Sequence, residues 1–399
     1  MKINFNDFIY ACSYALDCVE HELLGATTNH GKRVAYISIL LGEQLGLEDD
    51  VLWDIAACAV LHDNALTEYL QMYNKELFDK ADNNEIGIHC TLGEANIRHL
   101  PFQTDITDVI LYHHENLDGT GVFGKKAADT PIGAQMIHFA DLLDVQCDLG
   151  YYEAGKENQI AHYLQENQGT LFTEEMVTIF LTWMQAGHLS EIEGDKIDAL
   201  LKQTLPQRIT EYADDTLVSL ATFVADIIDY KSEITSRHSL GMAEKAAAMG
   251  RFYQEDDSVV QKLYLAGALH DIGKLVIDKD ILEKPDKLNA TEYRHIQTHA
   301  WYTYRILGGI EGFEDITEWA SLHHEKLDGS GYPFGKHAQE LSHKARMMAC
   351  LDIYQALTEM RSYKESMPHV QAMAILRDMA QKNQIDASIV EDINTVFGE

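Results

Sequence analysis

The sequence predicts an all-α protein built from two tandem helical domains. Three observations support this fold class: apolar residues recur at helical spacing, strand patterns are scarce, and one long pattern of histidines and aspartates occurs twice. The chain has 399 residues, of which 46 % are hydrophobic and only 6 are proline. Such a chain is long enough for two or three domains, each with its own core.

The helical periodicity is clearest in four stretches. Each has apolar residues at positions i, i+3, i+4 and i+7, which places them on one face of a helix. We therefore expect buried amphipathic helices at residues 51–61, 214–230, 258–269 and 343–360.

Charge and composition exclude several classes of partner. The net charge of −33 repels polyanions, so we expect neither DNA nor an anionic membrane surface as a partner. No run of 18 apolar residues is present, and polar residues interrupt the first segment where a secretory signal would be continuous. The 6 cysteines form no C-x-x-C pair, and we expect reduced, mostly buried thiols in a cytoplasmic protein.

One internal repeat, with an offset of 208 to 211 residues, organises the chain. The paired positions are His30 with His238, His62-Asp63 with His270-Asp271, His89 with His299, His113-His114 with His323-His324, and Asp141 with Asp352. The repeat predicts a first domain at 1–186, a partly helical connector at 187–206 and a second domain at 207–399.

The repeated residues are interpreted as metal ligands. Ten of the 19 histidines lie at repeated positions, whereas a lone histidine on an apolar helix is usually a hydrogen-bonded core residue. Imidazole and carboxylate donors suit Fe, Mn, Zn or Ni, and the absence of cysteine from the repeated set argues against a structural thiolate zinc site. Adjacent residues cannot share one helix face, so Asp271 could bridge two metals while His270 binds only one.

The second half resembles an HD-GYP domain of the HD superfamily, the phosphodiesterases that act on cyclic dinucleotides. The resemblance rests on His238, HDIGK at 270–274, KPDKL at 284–288, His299, HHEKLDGSGYP at 323–333 and the segment that begins at Asp352. It implies an all-helical fold with a binuclear metal site. Iron is the first choice for this site and manganese the second. Carried over by motif, one ion would be held by His238, His270, Asp271 and Asp352, and the other by Asp271, His299, His323 and His324. A third metal is not expected, because Ile234 stands where some relatives have a glutamate.

The expected chemistry is hydrolysis of a phosphodiester by metal-activated water, with Asp271 as the bridging catalytic carboxylate. Lys274 lies four residues after His270, hence on the same face of a helix, and is predicted to protonate or neutralise the leaving 3′-oxygen. The resemblance further assigns substrate phosphate to Arg361 and Lys364, and the mouth of the pocket to Tyr332 and Pro333.

The first half resembles a degenerate copy of the same domain. It retains every predicted ligand, namely His30, His62, Asp63, His89, His113, His114 and Asp141. It lacks the groups predicted to contact substrate, since Leu66, Gly150, Glu153 and Val122 replace Lys274, Arg361, Lys364 and Tyr332-Pro333. We expect a regulatory domain with a bound or vestigial metal site; a scaffold without metal and a second active site are the alternatives.

The sequence thus predicts a phosphodiesterase that opens a 3′,5′ linkage of cyclic di-GMP, 3′,3′-cyclic GMP–AMP, or both. The alternative is a non-catalytic cyclic-dinucleotide sensor that signals through the first domain. A nucleotide monophosphohydrolase or a di-iron oxygenase is a third reading, against which the Gly-Tyr-Pro loop and Arg361 with Lys364 argue by resemblance. An apolar helical face would also suit a homodimer.

Overall fold

The computed structural model describes residues 2–24, 28–66, 83–205, 208–231, 238–284, 286–359 and 366–398. The all-α prediction is confirmed, because these residues are mostly helical and their strands form one short antiparallel pair, β1 (Lys2–Asn4) with β2 (Ile209–Glu211). Within the same residues, no helix is both long enough and apolar enough to cross a membrane.

The chain divides into two compact units. The N-terminal unit is Cys12–Arg208, and the C-terminal unit combines Met1–Ala11 with Ile209–Glu399. These bounds differ from the predicted ones, which were a first domain at 1–186, a connector at 187–206 and a second domain at 207–399. Residues 1–11 join the C-terminal unit, where β1 pairs with β2, and most of the predicted connector is a packed part of the N-terminal unit, with Ile197 and Leu201 fully buried.

The N-terminal unit is a cluster of helices around α2. Helix α1 (Phe5–Leu24) contains the division between the two units. The helices that follow are α2 (His30–Gln44), α3 (Asp49–Val60), α4 (Asn83–Ile97), α5 (Ile132–Cys147), α6 (Lys156–Asn167), α7 (Glu174–Gln185) and α8 (Lys196–Thr204). Helix α2 packs against α3, α5, α7 and α8, which places the residues at its start beside those of α5.

The C-terminal unit repeats this arrangement around α10. Its helices are α9 (Asp214–Lys231), α10 (His238–Phe252), α11 (Asp257–Leu269), α12 (Lys279–Leu282), α13 (Ala290–Leu307), α14 (Glu314–Ser321), α15 (His343–Thr358), α16 (His369–Gln381) and α17 (Ala387–Phe397). The four helices predicted from periodicity are α3, α9, α11 and α15, each within two residues of its predicted bounds.

Close packing of α10 on α11 depends on a glycine. A Cβ atom at Gly267 would lie 2.6 Å from the Cα atom of Ala243, so a larger residue would push the two helices apart. Their approach brings the rings of His238 and His270 to a centroid distance of 5.3 Å.

Candidate metal centres

The C-terminal unit brings all seven predicted metal ligands together. His238, His270 and Asp352 form one group whose ligand atoms lie within 4.8 Å of one another, and His299, His323 and His324 form a second. The ligands come from different elements: the start of α10, the end of α11, the middle of α13, the end of α14 and the middle of α15. Only the fold therefore makes a centre out of residues up to 114 positions apart.

Asp271 lies between the two groups. Its Oδ2 atom is 3.1 Å from Nε2 of His270, whereas Oδ1 is 3.4 Å from Nε2 of His299 and 3.8 Å from Nε2 of His323. Burial opposes the charge of this carboxylate, yet His270 and Lys274 hold its pKa well below the ordinary value. An ionised carboxylate whose oxygens face different histidines can bridge two cations.

Backbone hydrogen bonds orient three of the histidines. His270, His299 and His323 each donate the Nδ1 hydrogen to the carbonyl three residues earlier, namely Gly267, Ile296 and Ala320. We therefore assign the tautomer in which Nε2 carries the lone pair and faces the cluster.

Two buried ligand atoms without a hydrogen-bond partner among the described residues are suited to binding a cation. Nε2 of His270 and Oδ1 of Asp271 have no hydrogen-bond partner within the described part of the chain. Burying such atoms without a partner costs free energy, and a metal ion would supply the partner. Burial also lowers the pKa of His299 to about 3, so its ring is neutral and able to bind metal at pH 7.

Glu359 lies at the site but is absent from the residues predicted from the sequence. Its Oε2 atom lies 2.8 Å from Nδ1 of His238, behind the predicted ligand. Burial opposes a charged His238, but the hydrogen bonds to Asp352 and Glu359 raise its pKa to about 9. The signal available in the sequence was the spacing of seven residues from Asp352, about two helical turns, although Glu359 itself is the residue that directly follows α15.

We predict that Glu359→Gln weakens metal binding at pH 9 by about 10- to 100-fold, because a carboxylate behind a histidine increases its strength as a ligand. In the wild-type protein a metal ion must displace a proton from His238 below about pH 9, so the affinity rises as the pH rises from 7 to 9. The variant should show a smaller rise, since His238 then loses its proton at lower pH. Titration against a competing chelator at several pH values measures both effects. A variant with the wild-type affinity and the wild-type pH dependence would show that Glu359 does not act on His238.

Lys274 lies at the rim of the centre, with 21 % of its side chain exposed and Nζ 2.6 Å from Oδ2 of Asp271. The expected geometry differs in one respect. Helix α11 ends at Leu269, and Ile272–Val276 is a 3-10 helix, so Lys274 pairs with Asp271 three residues earlier and does not continue a helical face from His270.

The predicted mouth of the pocket is a loop fastened by Glu325. The buried carboxylate of Glu325 accepts hydrogen bonds from the backbone N–H groups of Phe334, Gly335 and Lys336. The loop holds the ring of Tyr332 at a centroid distance of 4.7 Å from His324. Pro333 lies in the same loop. Arg361 and Lys364, which are predicted to bind phosphate, lie outside the described residues.

The N-terminal unit reproduces the same arrangement. His30, His62 and Asp141 form one group. Asp63 has its Oδ2 atom 3.5 Å from Nε2 of His62 and its Oδ1 atom 3.5 Å from Nε2 of His89. The second group contains His89, His113 and His114 together with Cys90. The structure thus adds a thiol to the donors identified from the repeat. Ala300 occupies the corresponding position in the second repeat, so Cys90 is not a repeated residue.

The surroundings of the N-terminal centre are less suited to an anion. Leu66, at the position of Lys274, is 1 % exposed and places an apolar side chain beside the centre. Behind His30, the buried carboxylate of Asp144 accepts a 2.6 Å hydrogen bond from His30 and two bonds from Arg33. Arg33 is thus fully occupied within the fold and 0 % exposed.

Residues 21–175 and 222–389 each match the model of one family, described as the HD domain. The matched segments contain every predicted ligand of both centres.

Similar proteins include two from Vibrio cholerae serotype O1. The 3'3'-cGAMP-specific phosphodiesterase 1 is 27 % identical over 98 % of this chain and 91 % of its own length. The 3'3'-cGAMP-specific phosphodiesterase 3 is 31 % identical over 73 % of this chain and 63 % of its own length. A cyclic di-GMP phosphodiesterase of Pseudomonas aeruginosa is 36 % identical over 38 % of this chain and 36 % of its own length. Among solved structures, a cyclic GMP–AMP specific phosphodiesterase of V. cholerae superposes with a TM-score of 0.70 at 22 % identity, covering 100 % of this chain and 98 % of its own. That structural likeness supports the fold.

Proposed function

Because the chain belongs to the HD domain family, we propose that it is a metal-dependent phosphodiesterase that hydrolyses a 3′,5′-phosphodiester bond of a cyclic dinucleotide to give a linear dinucleotide. The observation that carries the proposal is the position of Asp271, a buried carboxylate between two groups of histidines with Lys274 beside it. The names of the similar proteins support the same activity.

Two divalent ions fit this centre. We propose that they are iron, with manganese as the second choice. The donors are nitrogen and carboxylate oxygen, as these ions accept, and the partnerless atoms of His270 and Asp271 are buried where a cation would bind. His238, His270, Asp271 and Asp352 would hold one ion, and Asp271, His299, His323 and His324 the other. Bound there, the ions would polarise the phosphate oxygens and make a water molecule acidic enough to attack phosphorus.

The residues around the centre have distinct proposed roles. Asp271 fixes the spacing of the two cation positions, because each of its oxygens faces a different group of histidines. Lys274 supplies a proton or a positive charge to the departing 3′-oxygen, since its ammonium group is partly exposed at the rim. Tyr332 and Pro333 shape the entrance, and Arg361 with Lys364 would bind substrate phosphate.

For the substrate we favour 3′,3′-cyclic GMP–AMP over cyclic di-GMP. The two similar proteins named above that span 73 % or more of this chain both carry the cGAMP name, whereas the cyclic di-GMP phosphodiesterase matches 38 % of it.

We predict that the anaerobic protein, loaded with iron or manganese, converts cyclic GMP–AMP faster than cyclic di-GMP when the two are supplied in parallel. Chromatography of the products measures both rates. Faster conversion of cyclic di-GMP would reverse the assignment of substrate. Binding of either nucleotide without conversion, in protein whose C-terminal centre holds metal, would favour the sensor function.

We assign a regulatory role to the N-terminal unit, because it retains the ligand arrangement while Leu66 replaces the proposed proton donor. We also propose a cytoplasmic location. None of the six cysteines, all of which lie in the described part of the chain, forms a disulfide, and disulfides are common in the oxidising compartments outside the cytoplasm.

A further inference from the structure

We propose that the N-terminal unit contains a metal site with mixed nitrogen and sulfur ligands, suited to a thiophilic divalent ion such as Zn²⁺, formed by His89, Cys90, His113 and His114. The site goes beyond the proposed phosphodiesterase activity and does not depend on it.

The distances around His89 match a tetrahedral ion. Its Nε2 atom lies 3.4 Å from Nε2 of His113, 3.2 Å from Nε2 of His114 and 3.7 Å from Sγ of Cys90. Zinc binds nitrogen at about 2.0–2.1 Å and sulfur at about 2.3 Å, so tetrahedral ligands are separated by about 3.3 Å for two nitrogens and about 3.6 Å for nitrogen and sulfur. All four donor atoms lie within 4.8 Å of one another. The three separations from His89 are thus those expected between ligands of one tetrahedral ion.

The surroundings favour a bound cation. Cys90 and His113 are 0 % exposed and His89 is 2 % exposed, so water has little access to these three donors, while His114 has 23 % of its side chain exposed. His113 donates its Nδ1 hydrogen to the carbonyl of Ile110, which leaves the lone pair of Nε2 directed towards His89. The neighbouring His62 also has a buried Nε2 atom with no hydrogen-bond partner among the described residues. Several imidazole nitrogens facing one another in a dry cluster are stabilised when a cation lies between them.

The sulfur donor distinguishes this site from its counterpart. In the second repeat Ala300 is 0 % exposed at the position of Cys90, so the corresponding group has only imidazoles, His299, His323 and His324. Thiolate ligands favour ions such as Zn²⁺ over Mn²⁺. On binding, Cys90 loses its proton to solvent as the sulfur–metal bond forms. The two units would then select different ions from the same pool.

Cobalt substitution of the full chain tests the proposal, because a sulfur–cobalt bond gives a charge-transfer absorption in the near ultraviolet. We expect this band in the wild-type protein loaded with Co²⁺. Cys90→Ala, which introduces the residue of the second repeat, should lose the band even if cobalt stays bound, because the three remaining imidazoles match the group of the second repeat. Cys58→Ala is the matched control, since Cys58 is equally buried in the same unit but belongs to none of the metal-binding groups found among the described residues.

A wild-type protein without the band, or a band that survives in Cys90→Ala, would overturn the proposal. If Cys90→Ala fails to fold, Cys90→Ser keeps the volume of the side chain and should lose the band equally. X-ray absorption of the unmutated zinc-loaded protein provides a test without substitution. It should show a sulfur neighbour at about 2.3 Å, and a shell of nitrogen and oxygen alone would refute the site. None of these measurements uses phosphodiesterase activity.

Discussion

Replacement of both His270 and Asp271 by alanine is expected to reduce hydrolysis of the cyclic dinucleotide by at least about 10³-fold, since metal-centred stabilisation of a phosphoryl transition state is worth several kcal/mol. Asp271 faces both groups of histidines, and His270 belongs to the group with His238 and Asp352. Their loss removes donors from both proposed cation positions. The bound metal and the rate of product formation should therefore fall together.

The internal repeat supplies a matched control. His62 and Asp63 occupy the same positions in the N-terminal unit, with Asp63 3.5 Å from both His62 and His89. We expect His62→Ala/Asp63→Ala to retain hydrolysis within a few-fold of the wild type, because the groups proposed to handle substrate lie in the C-terminal unit. Unchanged hydrolysis in the C-terminal double variant, or its loss only in the N-terminal one, would show that the reaction was assigned to the wrong unit.

Lys274→Leu, which copies Leu66 of the first repeat, should lower kcat by about 10² to 10⁴-fold, the usual contribution of a positioned acid or base. Lys274 makes its ion pair with Asp271 but belongs to none of the metal-binding groups of the described residues. The metal content of the variant should therefore stay close to the wild-type value. Steady-state kinetics and metal analysis of the same preparation separate a chemical role from a loss of metal.

Lys274→Arg distinguishes the two ways in which the side chain could act. Arginine keeps the positive charge but does not give up a proton at neutral pH. A variant close to wild-type activity would indicate charge stabilisation, and one as slow as Lys274→Leu would indicate proton donation. Lys274→Leu with full activity would remove the side chain from the mechanism.

The repeat allowed most of the centre to be predicted from the sequence. Two copies of the same histidine and aspartate pattern predicted both sets of ligands, and the structure gathers each predicted set from helices far apart in the chain. Helix positions followed from apolar periodicity because each of these helices buries one face.

Features outside the repeat could not be predicted in this way. Cys90 is present in one copy only, and comparison of the copies therefore omitted it. Glu359 contacts His238, and this contact depends on how α15 packs against α10. The pairing of β1 with β2 joins segments more than 200 residues apart through three residues each, too short a pattern to identify from sequence.

Hydrolysis in ¹⁸O-labelled water tests the central claim most directly, namely that water attacks phosphorus at the C-terminal centre and the 3′-oxygen leaves. Mass spectrometry of the linear product should find one ¹⁸O atom, located on a terminal 5′-phosphate, with a free 3′-hydroxyl at the other end. A terminal 3′-phosphate, an unlabelled phosphate, or no linear product from protein with both C-terminal cation positions filled would contradict the account.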